Sequence, residues 1–371
     1  MLSKIVVDVF PLLLFVLVVF GAKFVKPLSS LNLENYLSIE TCLYYRGLFA
    51  IVIIFHHLAN LTGDGVLFSS FSLIGASAVA FFFFLSGYGL QLSYMKKNDI
   101  YRKEFLKKRL PKILIPYIII IGLYWVMYLI LGRYFSIKDI ILSFINGNPI
   151  AAYSWFIVNI LIFYIVFWFL MLICKKHYFF MIIGGIVWYG FYVAFCINMN
   201  YSSVWYKSSH LLIIGMFWAT YENKIKDLIK KNYIIPAMLS FFCFLSYYIF
   251  WFIVKTMGMS IGDFSVSGIL LYISRTFFVV SMLILFMKLR IGNRILNFLG
   301  TISLELYITH GLFVFAFRSG CVYIKDNVIY CLSVLTGTVL LSYCLHLLFQ
   351  IILNKVYKNY SREVKPPVKR V

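Results

Sequence analysis

The stretch SIETCLYYRGLFAIVIIFHH, residues 38–57, decides how the chain is read. It is apolar enough to enter a bilayer, yet it holds one arginine and two adjacent histidines. An ionisable side chain inside a span costs on the order of 2.5–3.5 kcal/mol on insertion scales, so each needs a reason to be there. Arg46 and His57 are 11 residues apart. At about 100° per residue they fall within roughly 20° of one another on a helix, with His57 roughly 16 Å further along the axis. His56 lies about 80° from Arg46 and is the weaker partner on geometry. The bland alternative is that Arg46 snorkels to headgroups and the histidines bond to neighbouring helices.

The rest of the chain has the same character. Of 371 residues, 63% are hydrophobic, 20% aromatic and only 13% charged, against about 25% charged in an ordinary soluble domain. This composition excludes a soluble enzyme, a disordered chain and a peripheral protein held by one anchor. Spans need about 20 apolar residues, and ten stretches qualify: 42–62, 66–95, 113–132, 153–174, 178–198, 209–221, 233–254, 266–289, 299–320 and 327–354. Residues 134–152, broken by Lys138, Asp139, Gly147 and Pro149, are expected to be an external excursion. The expected fold is an all-α polytopic membrane protein: a bundle of about ten transmembrane helices plus one extra N-terminal hydrophobic helix within 5–22. A signal peptide ending near Gly21-Ala22 is the competing reading of 5–22. The corresponding division is an N-terminal helix and linker (1–37), a transmembrane domain (38–354) and a basic tail (355–371).

The net charge of +21 follows the links between these spans. Alternate links, with residues 23–26 and the tail, carry 25 lysines and arginines, and the other links carry 6. Such asymmetry marks the basic side as cytoplasmic, which puts the C-terminus there and removes the need for a nucleic-acid partner. The expected location is a cell membrane, crossed many times. The seven cysteines show no CxxC spacing and sit mostly in apolar runs, so neither a disulfide framework nor a metal site is expected.

Further polar residues interrupt later spans: Arg275, Glu305, His310 and His346. Glu305 and His310 are five residues apart, about 140° around a helix, so each is expected to meet a different partner, with the first helix a candidate to supply one. Arg275 needs a counter-charge, and Glu305 is the clear intramembrane carboxylate, so a structural Arg275–Glu305 pair is one reading. The loop KKNDIYRKEFLKKRLPK (96–112) crowds Lys107, Lys108, Arg109 and Lys112 where the chain returns to the membrane. It suits anionic lipid headgroups or the phosphates of a nucleotide-bearing donor. Upstream, FFFFLSGYGL (81–90) combines a lipid-like or core-like aromatic run with Ser86, Gly87 and Gly89, which permit close backbone approach.

These segments, in this order, resemble the integral-membrane acyltransferase 3 family, whose members commonly O-acetylate cell-surface polysaccharides. The likeness runs from about Ser38 to Leu348. SIETCLYYRGLFAIVIIFHH is similar to the family's first core helix, where a basic residue precedes a histidine by eleven positions; that spacing selects His57. FFFFLSGYGL resembles its Phe-rich segment, FLKKRLPKILIPY its basic segment before a proline (Pro116), and SWFIVNILIFY and LGTISLELYITHG two later motifs. The chain departs from the family in having Leu43 where many members carry an acidic residue, and Lys112 where they often carry a second arginine.

The resemblance implies a membrane-embedded O-acyltransferase, expected to be an O-acetyltransferase. It would move an acyl group from cytoplasmic acetyl-CoA, or another acyl-CoA, to a hydroxyl of a surface or exported polysaccharide. The acyl-CoA is a co-substrate and no cofactor or metal is expected to be bound. His57 is the expected general base or transient acyl carrier, with Glu305 and His310 as further catalytic candidates. Arg46, Arg109 and Lys112 are expected to hold the donor phosphates. Ser86, Tyr88, Trp155 and Arg275 are the expected substrate contacts. With 17 residues after Asn354, transfer is expected to be done by the membrane domain itself. The competing class is a transporter or flippase, in which Arg46, His57, Arg275 and Glu305 line a polar pathway. The acceptor sugar, the acyl chain and the oligomeric state leave no mark in the sequence.

Overall fold

The computed structural model describes residues 6–25, 31–256 and 266–363. Most of the 255–265 link and the end of the basic tail therefore lie outside the described residues, as do residues 1–5 and 26–30. The chain is helical almost throughout: α1 (Val9–Val19), α2 (Ile39–Thr62), α3 (Gly75–Arg109), α4 (Pro111–Ile130), α5 (Ile137–Ile145), α6 (Trp155–Ile173), α7 (Tyr178–Asn198), α8 (Leu211–Lys231), α9 (Ile234–Thr256), α10 (Val266–Lys288), α11 (Arg294–Thr301), α12 (Ser303–Ala316) and α13 (Asn327–Glu363). It is an all-α polytopic membrane protein.

Helix boundaries follow local chemistry. The Ser38 hydroxyl accepts from Thr41 N–H to start α2, and Gly63, at φ +60, ends it in a left-handed cap donating to Ala59 O. Asn98 breaks α3 with φ 46, and Pro111 opens α4, where its missing N–H costs nothing. A reciprocal Ser136–Asp139 capping box starts α5. This amphipathic nine-residue helix lies inside the stretch expected to stay outside the bilayer.

Among the described residues, six helical segments are long and apolar enough to cross a membrane, or up to eight when each of two bent pairs counts as one span. Of the ten expected stretches, 66–95 and 113–132 fall largely in the single long run Gly75–Ile130, and 209–221 and 233–254 fall largely in α8 and α9, a pair bent by 106°. The described loops fall into two groups, each in contact within itself. At the basic end, Tyr94 donates to Lys175 O and Tyr357 to Lys108 O. There, too, Lys23–Phe24 (β1) pairs antiparallel with Leu289–Arg290 (β2). At the other end, Arg318 donates to Leu61 O, the Asn327 amide meets Asp64, and Trp205 donates to Gly147 O. In these contacts, links of the more basic set meet one another and links of the less basic set meet one another.

α1 joins these two ends. Asp8 accepts from the backbone of Val66 and Phe68 at one end, and Asn293 donates to Leu17 O and Phe20 O at the other. Phe10 packs edge-on to Phe55, so the segment is folded against the bundle as the extra helix expected for 5–22.

Two close crossings place the site helices. A Cβ on Gly300 would lie 1.9 Å from Leu43 O, so α11 seats its backbone on α2. A Cβ on Gly87 would lie 1.9 Å from Leu212 O, which gives the Ser-Gly-Tyr segment its use as the α3–α8 contact.

Candidate active site

α2 carries His57 and Arg46 into two different cavities, as their shared face and axial offset require. His57 borders a cavity of about 410 Å³ near the less basic end, with Tyr153, Trp155, Trp205 and Tyr307 in its wall. Arg46 borders a second cavity of about 440 Å³, shared with Ser86, Arg109, Tyr164, Ser303 and Tyr307. Arg109 also faces a third crevice of about 230 Å³ with Lys97, Lys108 and Lys112, so it stands where the basic loop meets the Arg46 cavity.

The two histidines of α2 are bonded very differently. Nδ1 of His56 donates to Phe71 O at 3.1 Å, and Asn60 then donates to its Nε2 at 3.3 Å. Its ring also rests on Gly75, where a Cβ would come within 2.2 Å of it. Both nitrogens of His56 are therefore occupied. His57 is held by rings instead: Tyr153 stacks on it at 3.6 Å, and His310 lies at 5.1 Å and 24°. Among the described residues no hydrogen bond reaches His57, so its nitrogens are available to whatever enters the cavity. Of the two histidines of α2, His57 is the one whose ring nitrogens are left open to the cavity.

His310 and Glu305 diverge as their angular offset predicts. His310 is fully buried against His57 and Tyr153, with Nδ1 on Leu306 O. Glu305 points to α13, where Nδ1 of His346 is 2.9 Å from its carboxylate and Gln350 flanks the other imidazole nitrogen. The carboxylate of Glu305, a catalytic candidate in the sequence, is thus taken up by His346, and it is not in the wall of either cavity.

Three further expectations change. The Arg275–Glu305 pair does not form: Arg275 is buried on the α8 side and donates to Ser208, which reaches Ala76 O. Arg275 therefore supports the start of α8 and lines neither cavity. Tyr88 sits on the α8 face of α3 and donates to Glu222, away from the cavity bordered by Ser86. Lys112 is set in the outer crevice beside the Tyr357 ring and does not reach the Arg46 cavity. Ser86 and Trp155 are brought to cavity walls, although the Ser86 hydroxyl returns to Phe82 O.

Residues missed in the sequence are Tyr153, Tyr307 and Trp205. Tyr153 holds φ +60, a conformation unusual for a tyrosine that no local sequence signal announces. Tyr307 sits unmarked between Glu305 and His310, inside a motif already singled out. Trp205 belongs to a loop whose place over the cavity is set by its bond to Gly147 O.

A helical membrane protein with an accessible imidazole at one cavity and arginines at the next defines the class: an integral-membrane protein with a buried polar centre. The chain belongs to the acyltransferase 3 family, whose acyltransferase-domain model matches residues 44–347. It is a membrane acyltransferase. No curated protein and no solved structure matches the chain.

Proposed function

We propose that the protein is an O-acetyltransferase that takes its acyl group from cytoplasmic acetyl-CoA and delivers it to a hydroxyl of a surface or exported polysaccharide. The observation that carries this reading is the arrangement along α2. A hydrogen-bond-free imidazole faces one cavity, and Arg46, joined by Arg109, faces the other, roughly 16 Å away along the same helix. Arginine suits phosphate, because its planar fork of donors meets the oxygens two at a time. The basic crevice with Lys108 and Lys112 extends this field outward and raises the local concentration of an anionic donor.

The membrane is the cell membrane, with the basic end and the C-terminus in the cytoplasm. The donor's phosphates rest at Arg46 and Arg109, and its thioester reaches toward His57. The acceptor hydroxyl enters the His57 cavity from the opposite side, where the partly exposed Trp155 in its wall offers an apolar surface to a sugar ring. His57 takes the hydroxyl proton as the oxygen attacks the thioester carbonyl, then returns it to the departing thiolate. Packing of Tyr153 and His310 fixes the plane of the imidazole in place of a hydrogen-bonded carboxylate. Glu305 acts at one remove, by holding His346 and with it the α12–α13 contact that seats His310.

The test is NMR of surface polysaccharide from cells carrying the wild type or His57→Ala, with membrane levels of both proteins matched. Loss of O-acetyl signals in the variant is expected. Retention of those signals would overturn the role of His57.

A further inference from the structure

The two cavities have one wall residue in common, Tyr307. Its ring is 5% exposed and packs edge-on to Phe156 at 5.1 Å. Phe156 and Ile157 face the Arg46 cavity, and Tyr153, Ser154 and Trp155 face the His57 cavity. The start of α6 is therefore the rest of the partition, and Tyr307 is the side chain within it that touches both spaces.

The Tyr307 hydroxyl donates to Tyr153 O at 2.7 Å. That carbonyl belongs to the residue at φ +60 whose ring covers His57 at 3.6 Å. A non-glycine residue in the left-handed region persists only where its surroundings hold it. The Tyr307 bond is such a hold, so one side chain both closes the partition and secures the ring that caps the imidazole.

We propose that Tyr307 is a specificity-determining gate: an acyl group reaches His57 by displacing its ring, and the space that displacement opens limits the length of acyl chain transferred. This rests on the reading above that a thioester donor enters through the Arg46 cavity. A two-carbon acyl group asks for a small rotation of the phenol. A longer chain must occupy the volume of the ring itself, in a partition packed on both sides. Removing the ring would merge two spaces of about 410 and 440 Å³ into one.

The experiment compares acetyl-, butyryl- and hexanoyl-CoA turnover by purified wild type, Tyr307→Ala and Tyr307→Phe in detergent. Wild type is expected to favour acetyl-CoA. Tyr307→Ala should raise the hexanoyl-to-acetyl ratio of kcat/KM by roughly tenfold or more, since each methylene that a pocket admits or rejects is worth about tenfold upward. Tyr307→Phe keeps the ring and should keep the wild-type ratio while lowering kcat for all donors, because Tyr153 loses its hold. An unchanged ratio in Tyr307→Ala, with wild type active, would overturn the gate and leave the donor reading intact. No turnover of any thioester by wild type would overturn the donor reading and the gate with it. If Tyr307→Ala fails to fold, Phe156→Ala opens the same partition from the other side. The same rise in ratio supports the gate and an unchanged ratio overturns it.

Discussion

The imidazoles of His57 and His310 lie 5.1 Å apart and within 24° of parallel, one from α2 and one from α12, with the Tyr153 ring against both. Two rings, Tyr153 and His310, thereby pack on His57, and among the described residues no hydrogen bond takes up its nitrogens. His57→Ala is therefore expected to lower the transfer rate by ~10²–10⁴-fold, the usual contribution of a positioned base. Initial rates on purified protein check this.

His56 has the opposite assignment. Losing its bond to Phe71 O leaves that carbonyl to the Ile74 N–H alone, strands the Asn60 amide and opens a void beside Gly75. His56→Ala should cost about 1–3 kcal/mol of stability and less than about tenfold in rate. Thermal unfolding in detergent, run beside the same rate assay, separates the two histidines.

Arg46 and Arg109 face the donor cavity from α2 and from the end of α3. A hydrogen bond to a charged group is worth about 1.5–3 kcal/mol, so Arg46→Gln or Arg109→Gln should raise the KM for acetyl-CoA by about ten- to a hundredfold. The effect on kcat should be smaller, because neither guanidinium borders the His57 cavity. Lys112→Gln, one crevice further out, should change KM much less and mainly alter its salt dependence.

The Glu305–His346 contact is a structural one by its position. Glu305→Gln keeps an acceptor for the His346 N–H and should retain most of the activity. His346→Ala leaves a buried carboxylate without its partner and should cost about 3–5 kcal/mol. Melting temperature and kcat, measured on both variants, should therefore diverge. Strong loss of kcat in a stable Glu305→Gln protein would place that carboxylate in the chemistry.

Gly300→Ala tests the seat of α2. With Leu43 O in the way, the helices must separate, at about 1–3 kcal/mol for overpacking. Because α2 carries both Arg46 and His57, activity should fall together with the melting temperature.

The all-α, membrane-spanning class was legible because hydropathy acts on every residue of a helix at once. The Arg46–His57 relation was legible because helical periodicity is rigid over eleven residues. The divergence of Glu305 and His310 followed from the same angle. The partners were not legible: nothing in α12 alone tells Glu305 to meet His346 and not Arg275, since that depends on which helix packs beside it. Tyr88 was misplaced for a related reason. Ser86 and Tyr88 share one short motif but are two residues apart, about 200° around α3, so they lie on different faces, and the Gly87 crossing places the tyrosine toward Glu222. Tyr153 and Tyr307 stayed hidden because a partition exists only once α6 and α12 are assembled.

The central claim is that His57 acts on a thioester drawn from the cytoplasmic side. Its most direct test is acetyl-CoA hydrolysis by the purified protein without acceptor, following free thiol, for wild type and His57→Ala. Slow thiol release by wild type, abolished in a folded His57→Ala protein, is the predicted result. Equal release by both proteins, or none by wild type, would contradict the account.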